Sequence, residues 1–186
     1  CYNPQAVFPM YFVVRVNKKP SAFGMWKKQP DLHNAQAQWD AYQGKYKLYP
    51  GYGRDMAGND IGYYMTYDLA KGEQVEVQVG VSFVSIEGAR ANLNAEQQGF
   101  NFDKTVADTR AEWANTLNRI SVEGGTDDQR RVLYTALYHS QIHPTVLQDV
   151  DGKYPKMESN ENGHTNGNRY TVYSLWDTYR NLSQLE

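Results

Sequence analysis

A single cysteine, Cys1, leaves this chain without a partner for an internal disulfide. Packing and hydrogen bonds must hold the fold, and cysteine usage does not reveal the redox compartment. A lipid-anchor reading of Cys1 fails because strand-like text starts within ten residues and leaves no tether. No apolar run approaches the roughly 18–20 residues that a membrane helix needs, which excludes a helical span. Charge of one sign is lacking too: 19 Lys and Arg against 21 Asp and Glu give a formal charge of −2. That field is too weak to gather nucleic acid or an anionic bilayer, so neither is an expected partner. No signal peptide, repeat or low-complexity tract is legible. Phenylalanine is scarce, 6 residues against 15 Tyr and 4 Trp. Rings with a hydrogen-bonding tip suit wet, amphipathic surfaces, as in carbohydrate sites and in tyrosine-rich sheets alike.

What is present divides into strands and then helices. Met10 to Asn17 reads as a strand ended by Lys18, Lys19 and Pro20, with Ala22 to Lys27 as the second arm of a hairpin. Residues 29–58 carry Pro30, Gly44, Pro50, Gly51, Gly53 and Gly58 among tyrosines and read mostly as loop, with a short strand near Lys45 to Tyr49. Asp60 to Leu69 is a further strand. Val75, Val77, Val79, Val81 and Phe83 then alternate with Glu76, Gln78, Gly80 and Ser82, a period of two that predicts a buried valine face and a wet opposite face. At Val84 and Ile86 the apolar phase shifts by one, which predicts a bulge or a crossing between sheets.

After Ala89 the composition changes. Asn92 to Asn101 is polar, and from Phe102 to Arg119 the spacing of Val106, Arg110, Trp113, Leu117 and Ile120 predicts a helix capped at Asp103. Thr126 to Gln129 is a capping box that opens another helix, with Leu133, Ala136, Leu137 and Ser140 on one face and an end before Pro144. His139 and His143 stand four apart, yet His143 precedes a proline and no third ligand is spaced nearby, so no zinc site follows. Asp149, Asp151 and Gly152 resemble the start of a calcium loop, but the later ligand positions are out of register; a solvated turn is the expectation. Glu158 to Asn168 reads as a mobile polar loop.

Tyr170 to Arg180 concentrates four rings, a carboxylate and a guanidinium in eleven residues. A pyranose presents one face of C–H bonds that stacks on a ring and a rim of hydroxyls that pairs with planar charged groups, and Trp176 beside Asp177 supplies both. Asp177 and Arg180 at helical spacing are equally a local ion pair worth a few tenths of a kcal/mol.

Three ordered blocks, Val122 to His139, Pro144 with Asp149 to Gly152, and Ser174 to Arg180, resemble glycoside hydrolase family 92, the calcium-dependent bacterial alpha-mannosidases. Tyr11 to Val16, Lys19 and Pro20, Val79 to Ala89, Asn92 and Leu93, and Trp113 extend the resemblance towards that family's N-terminal portion. It implies an α+β chain: an antiparallel β-sandwich portion over 1–89, a helical connector over 90–125, and the start of an α-helical barrel catalytic domain over 126–186. It also implies inverting hydrolysis of terminal alpha-1,2-type mannosides by a carboxylic acid and a carboxylate base, with calcium gripping sugar hydroxyls. The partners implied are mannose-containing glycans and the missing remainder of the parent chain; the location implied is periplasmic or extracellular. The family's acid and base lie downstream of anything matched here, so no catalytic residue and no metal ligand is named in this chain. Substrate contact is carried over to Asp177, Trp176 and Arg180. The ends read as truncation, and Leu185 with Glu186 reads as native or as a vector scar. The fragment alone is expected to be inactive.

Two other readings compete. A non-catalytic carbohydrate-binding β-sandwich would keep measurable affinity for mannosides in isolation, whereas a half-site split between domains loses nearly all of it. A purely structural domain would bind no sugar and ignore replacement of Asp177.

Overall fold

The computed structural model describes residues 9–28, 46–58, 60–157, 159–172, 178–179 and 182–185. In chain order the elements are β1 (Tyr11–Val16), β2 (Ala22–Lys28), β3 (Tyr46–Pro50), β4 (Ile61–Thr66), β5 (Val77–Ser82), α1 (Ile86–Glu96), α2 (Phe102–Leu117), α3 (Asp127–Ser140), β6 (Lys153–Pro155), β7 (Asn162–His164) and the short α4 (Leu182–Leu185). Strands precede the long helices, which makes the chain α+β as expected. Its contacts gather into two units, Val16–Val75 and the pair of segments Cys1–Arg15 and Glu76–Glu186.

In the unit Val16–Val75, β2 is the centre of a three-stranded antiparallel sheet with β3 on one edge and β4 on the other. The expected β1–β2 hairpin is therefore not formed, and β1 pairs with β5 instead. What selects β4 for β2 is a complementary register: Trp26 faces Gly62 and Tyr64 faces Gly24. A Cβ on Gly62 would lie 2.6 Å from the indole Cε2, and one on Gly24 would lie 2.5 Å from the Tyr64 hydroxyl. Each ring thus crosses the backbone of the neighbouring strand, where only glycine leaves room. Met25, between Tyr49 and Tyr63 in the ladder, is 1% exposed and centres the buried side.

In the other unit, β5 packs on α1, and the valine face turns out to be the open one. Val77, Val79 and Val81 are 58%, 57% and 48% exposed, while Gly80 and Ser82 are buried. The reason is steric: a Cβ on Gly80 would meet the Ala89 carbonyl at 2.4 Å and the Leu93 Cβ at 2.6 Å. The smallest side chains let a helix lie on that face. Ala89 and Leu93, one helical turn apart, are buried there. Where a bulge was expected the chain starts α1, capped by the Ser85 hydroxyl accepting from the Gly88 N–H at 2.9 Å. At the far end Arg15 of β1 donates to Gln78 at 2.8 Å, to Asn94 at 3.1 Å and to the Gln97 carbonyl at 2.6 Å, clamping the end of α1 where a cation is favoured.

Helix α2 is capped two residues before the predicted position, at Asn101, whose side chain accepts from the Lys104 N–H at 3.0 Å; Asp103 sits in the first turn instead. The capping box of α3 is formed in both directions, Gln129 N–H to Thr126 Oγ1 at 3.2 Å and Thr126 N–H to Gln129 Oε1 at 2.9 Å. Leu137 is buried, but Leu133 on the same predicted face is 41% exposed. Trp113 and Tyr138 join α2 to α3 edge to face, centroids 4.6 Å apart. The predicted loop Glu158 to Asn168 contains a strand: Asn162–His164 pairs antiparallel with Lys153–Pro155.

Candidate functional site

Trp176, Asp177 and Arg180 lie outside the described residues, as does the part 29–45 of the loop predicted over 29–58. What is described is the framework that delivers the chain to them. Residues 143–148 run alongside 167–172, joined by the bridge Val146 to Tyr170. Leu147 N–H donates to the Arg169 carbonyl at 2.8 Å and Thr171 N–H to the Thr145 carbonyl at 2.9 Å. The Arg169 N–H donates to Gln148 Oε1, and Gln148 Nε2 donates to the Gly167 carbonyl at 2.9 Å. His143 Nε2 lies 3.0 Å from the Val172 carbonyl, so this histidine serves the ladder. Immediately beyond Asp177, Thr178 is 7% exposed.

This framework is anchored by Asp149. This residue is 5% exposed, and its carboxylate accepts from Ser82 Oγ at 2.7 Å and from Asn92 Nδ2 at 2.8 Å. Asn92 Nδ2 also donates to the Val81 carbonyl at 2.9 Å, and Asn92 Oδ1 accepts the Val150 N–H at 2.8 Å. Ser82 Oγ accepts in turn from the N–H groups of Val84 at 2.8 Å and Ser85 at 3.2 Å. Strand β5, helix α1 and the turn after residue 148 are thereby tied at one buried point. A Cβ on Gly88 would lie 2.1 Å from Asp149 Oδ2, so the first turn of α1 passes the carboxylate only because residue 88 is glycine. The positive end of α1 suits that charge.

The turn expected over Asp149 to Gly152 is formed, the Gly152 N–H donating to the Asp149 carbonyl at 2.8 Å, but the Asp149 side chain is buried rather than solvated, and the two carboxylates of the Asp149–Asp151 pair do not share a centre. Asp151 is exposed and pairs with Lys153 Nζ at 2.8 Å; that hydrogen bond, with the Lys153 N–H at 3.1 Å, holds its carboxyl below the usual range. Gly152, at φ 81°, makes the turn between them. Among the described residues no group of three His, Cys, Asp or Glu side chains gathers to hold a metal, so they do not fit a calcium site.

Beside the anchor a cleft of about 320 Å³ runs between β5, α1 and residues 146–149. Gln148, Asn92, Glu96 and Gln97 give it polar walls, and Val79, Val81 and Leu147 apolar ones. With both Asp149 oxygens engaged by protein donors, this arrangement positions the segment leading to residue 173; it does not present Asp149 for proton transfer. Sequence reasoning missed the roles of Ser82 and Asn92. No local signal marked them, since Ser82 falls on the face of β5 that reads as wet and Asn92 opens a polar stretch.

Comparison with known proteins gives a consistent result. The family model described as the glycosyl hydrolase family 92 catalytic domain matches residues 88–186, more than half of the chain. An uncharacterized secreted glycosidase of Arthroderma benhamiae is 32% identical over 116 residues, 60% of this chain and 14% of that protein. A family 92 inverting mannosidase of Bacteroides thetaiotaomicron shares the fold with a TM-score of 0.74 and 24% identity, over 95% of this chain and 22% of its own. A family 92 alpha-mannosidase of the same organism, solved in complex with mannoimidazole, aligns over 95% of this chain and 21% of its own, with a TM-score of 0.70 and 25% identity. The chain therefore spans about a fifth of the length of these solved relatives.

Proposed function

The chain belongs to glycosyl hydrolase family 92, and from that membership we propose that it is part of an alpha-mannosidase that removes terminal alpha-linked mannose, of alpha-1,2 type, from glycans with inversion. The observation that carries this is the family match itself, which runs through residues 88–186 and so includes Ser174 to Arg180. Likeness to an inverting mannosidase and to one holding mannoimidazole supports the substrate class. A secreted glycosidase among the relatives supports a periplasmic or extracellular site of action. Among the described residues no helix is long and apolar enough to cross a membrane.

In this reading Asp177 accepts hydrogen bonds from adjacent mannose hydroxyls, Trp176 offers its indole to the C–H face, and Arg180 follows three residues along the sequence. The knot at Asp149 and the ladder of residues 143–148 with 167–172 hold the approach to that segment. Acid, base and calcium ligands are assigned to other parts of the enzyme. The 186 residues by themselves turn over no substrate.

The test is mannose release from alpha-1,2-mannobiose by the longer enzyme that contains this segment, with the first-formed anomer read by proton NMR. Beta-mannose is expected, and Asp177→Ala should lower kcat/KM by about 100-fold or more, the loss of a charged hydrogen-bonding pair. An unchanged kcat/KM would remove Asp177 from the site, and release of mannose by the 186 residues alone would overturn the partition of the chemistry.

A further inference from the structure

We propose that the β3–β2–β4 sheet carries a second sugar-binding site, separate from the Trp176–Arg180 segment, in which Trp26 and Tyr64 form a stacking floor for pyranose rings of a glycan. The two residues alternate onto the same face as Gly24 and Gly62. A Cβ on Gly62 would lie 2.6 Å from the indole Cε2 and Cζ2, and a Cβ on Gly24 would lie 2.6 Å from the Tyr64 Cζ. Since a Cβ projects out of the sheet, each ring lies over the glycine of the adjoining strand. Both rings are half-buried. Gly24 and Gly62 stand diagonally across the ladder, which separates the two ring positions by about 7–8 Å.

Tyr46 makes the floor into a corner. Its ring stands at 83° to Trp26 with centroids 5.0 Å apart, and it is 53% exposed. At the same end Lys28, on the same face, pairs with the exposed carboxylate of Asp60 at 3.3 Å. A flat indole with an upright ring beside it and a charged pair at its border matches a pyranose: C–H bonds meet the ring, while rim hydroxyls donate to the carboxylate and accept from the ammonium. Rings crossing strand glycines do stabilise sheets. Leu48, opposite Trp26 in the ladder, is 58% exposed. This inference does not rest on the role given to Asp177.

Saturation-transfer NMR on the 186-residue chain, with alpha-1,2-mannotetraose as the probe, tests it. Transfer to the sugar C–H protons is expected, with affinity falling about tenfold in Trp26→Ala. Asp60→Asn should weaken binding several-fold without shifting Tm, which guards against loss of fold in Trp26→Ala, and Asp177→Ala should leave binding intact. No transfer with the unaltered chain, transfer that survives both Trp26→Ala and Asp60→Asn, or transfer abolished by Asp177→Ala would each overturn the proposal. So would self-association relieved by Trp26→Ala with no response to the sugar.

Discussion

The hydroxyl of Ser82 donates to the carboxylate of Asp149 at 2.7 Å across 67 positions of sequence, in surroundings that leave both residues almost without solvent. Replacing Asp149 by alanine strips the acceptor from Ser82 and leaves Asn92 Nδ2 with only the Val81 carbonyl. Unfolding in urea should show a loss on the order of 3 kcal/mol for Asp149→Ala, from buried donors left unpaired. Asp128, which pairs with Arg131 on the surface of α3, should tolerate the same change with no shift of midpoint. Equal behaviour of the two variants would mean that the buried knot contributes nothing.

Gly80 sits where α1 touches β5, with the Ala89 carbonyl 2.4 Å from the place a Cβ would occupy. Gly80→Ala should destabilise by about 1–3 kcal/mol through overpacking, measured by thermal unfolding. Gly167, which has open space around its Cα, is the control and should accept alanine without loss.

Val79 tests the inverted face of β5. In this chain it is 57% exposed, so Val79→Thr should alter stability by less than about 0.5 kcal/mol. A loss above about 1 kcal/mol in urea titrations would show that the valine row is buried after all.

Thr126 Oγ1 caps α3 by accepting from the Gln129 N–H, and the Thr126 N–H donates in return to Gln129 Oε1. Thr126→Ala should cost about 1 kcal/mol and fray the first turn, visible as faster amide exchange at Gln129. Thr126→Ser should retain most of the stability.

The Asp151 carboxyl is held below its ordinary range, first by the hydrogen bond from the Lys153 side chain and then by the Lys153 N–H. A group whose folded value is depressed adds stability above the unfolded value, about 3.9 for Asp, and loses it as pH falls through the folded value. Carboxyl-detected NMR should therefore place the Asp151 midpoint below about 3.9. Lys153→Gln should bring it back up; a midpoint that ignores this change would sever the pair.

Local signals were legible because their physics is local. The capping box at Thr126, the proline stop after α3 and the apolar spacing of α2 involve residues within a turn or two of each other, and each matches the structure. Helix α1 was not read, because the N-cap at Ser85 lies inside what looked like the continuation of a strand. The β6–β7 pair was hidden by its glycines and asparagines, which read as loop.

By itself the sequence determined that strands precede the two long helices, the period of β5 and the family to which the chain belongs, since periodicity, capping and ordered motifs are properties of neighbours along the chain. Only the tertiary structure decided which side of β5 is covered, which strand accompanies β2, and that Asp149 faces inward while Asp151 faces water. Those outcomes turn on contacts among Gly80, Ala89 and Leu93, between Trp26 and Gly62, and among Ser82, Asn92 and Asp149. Steric room and hydrogen-bond demand at a point in space are settled by whatever the fold brings there, and spacing along the chain carries no record of it.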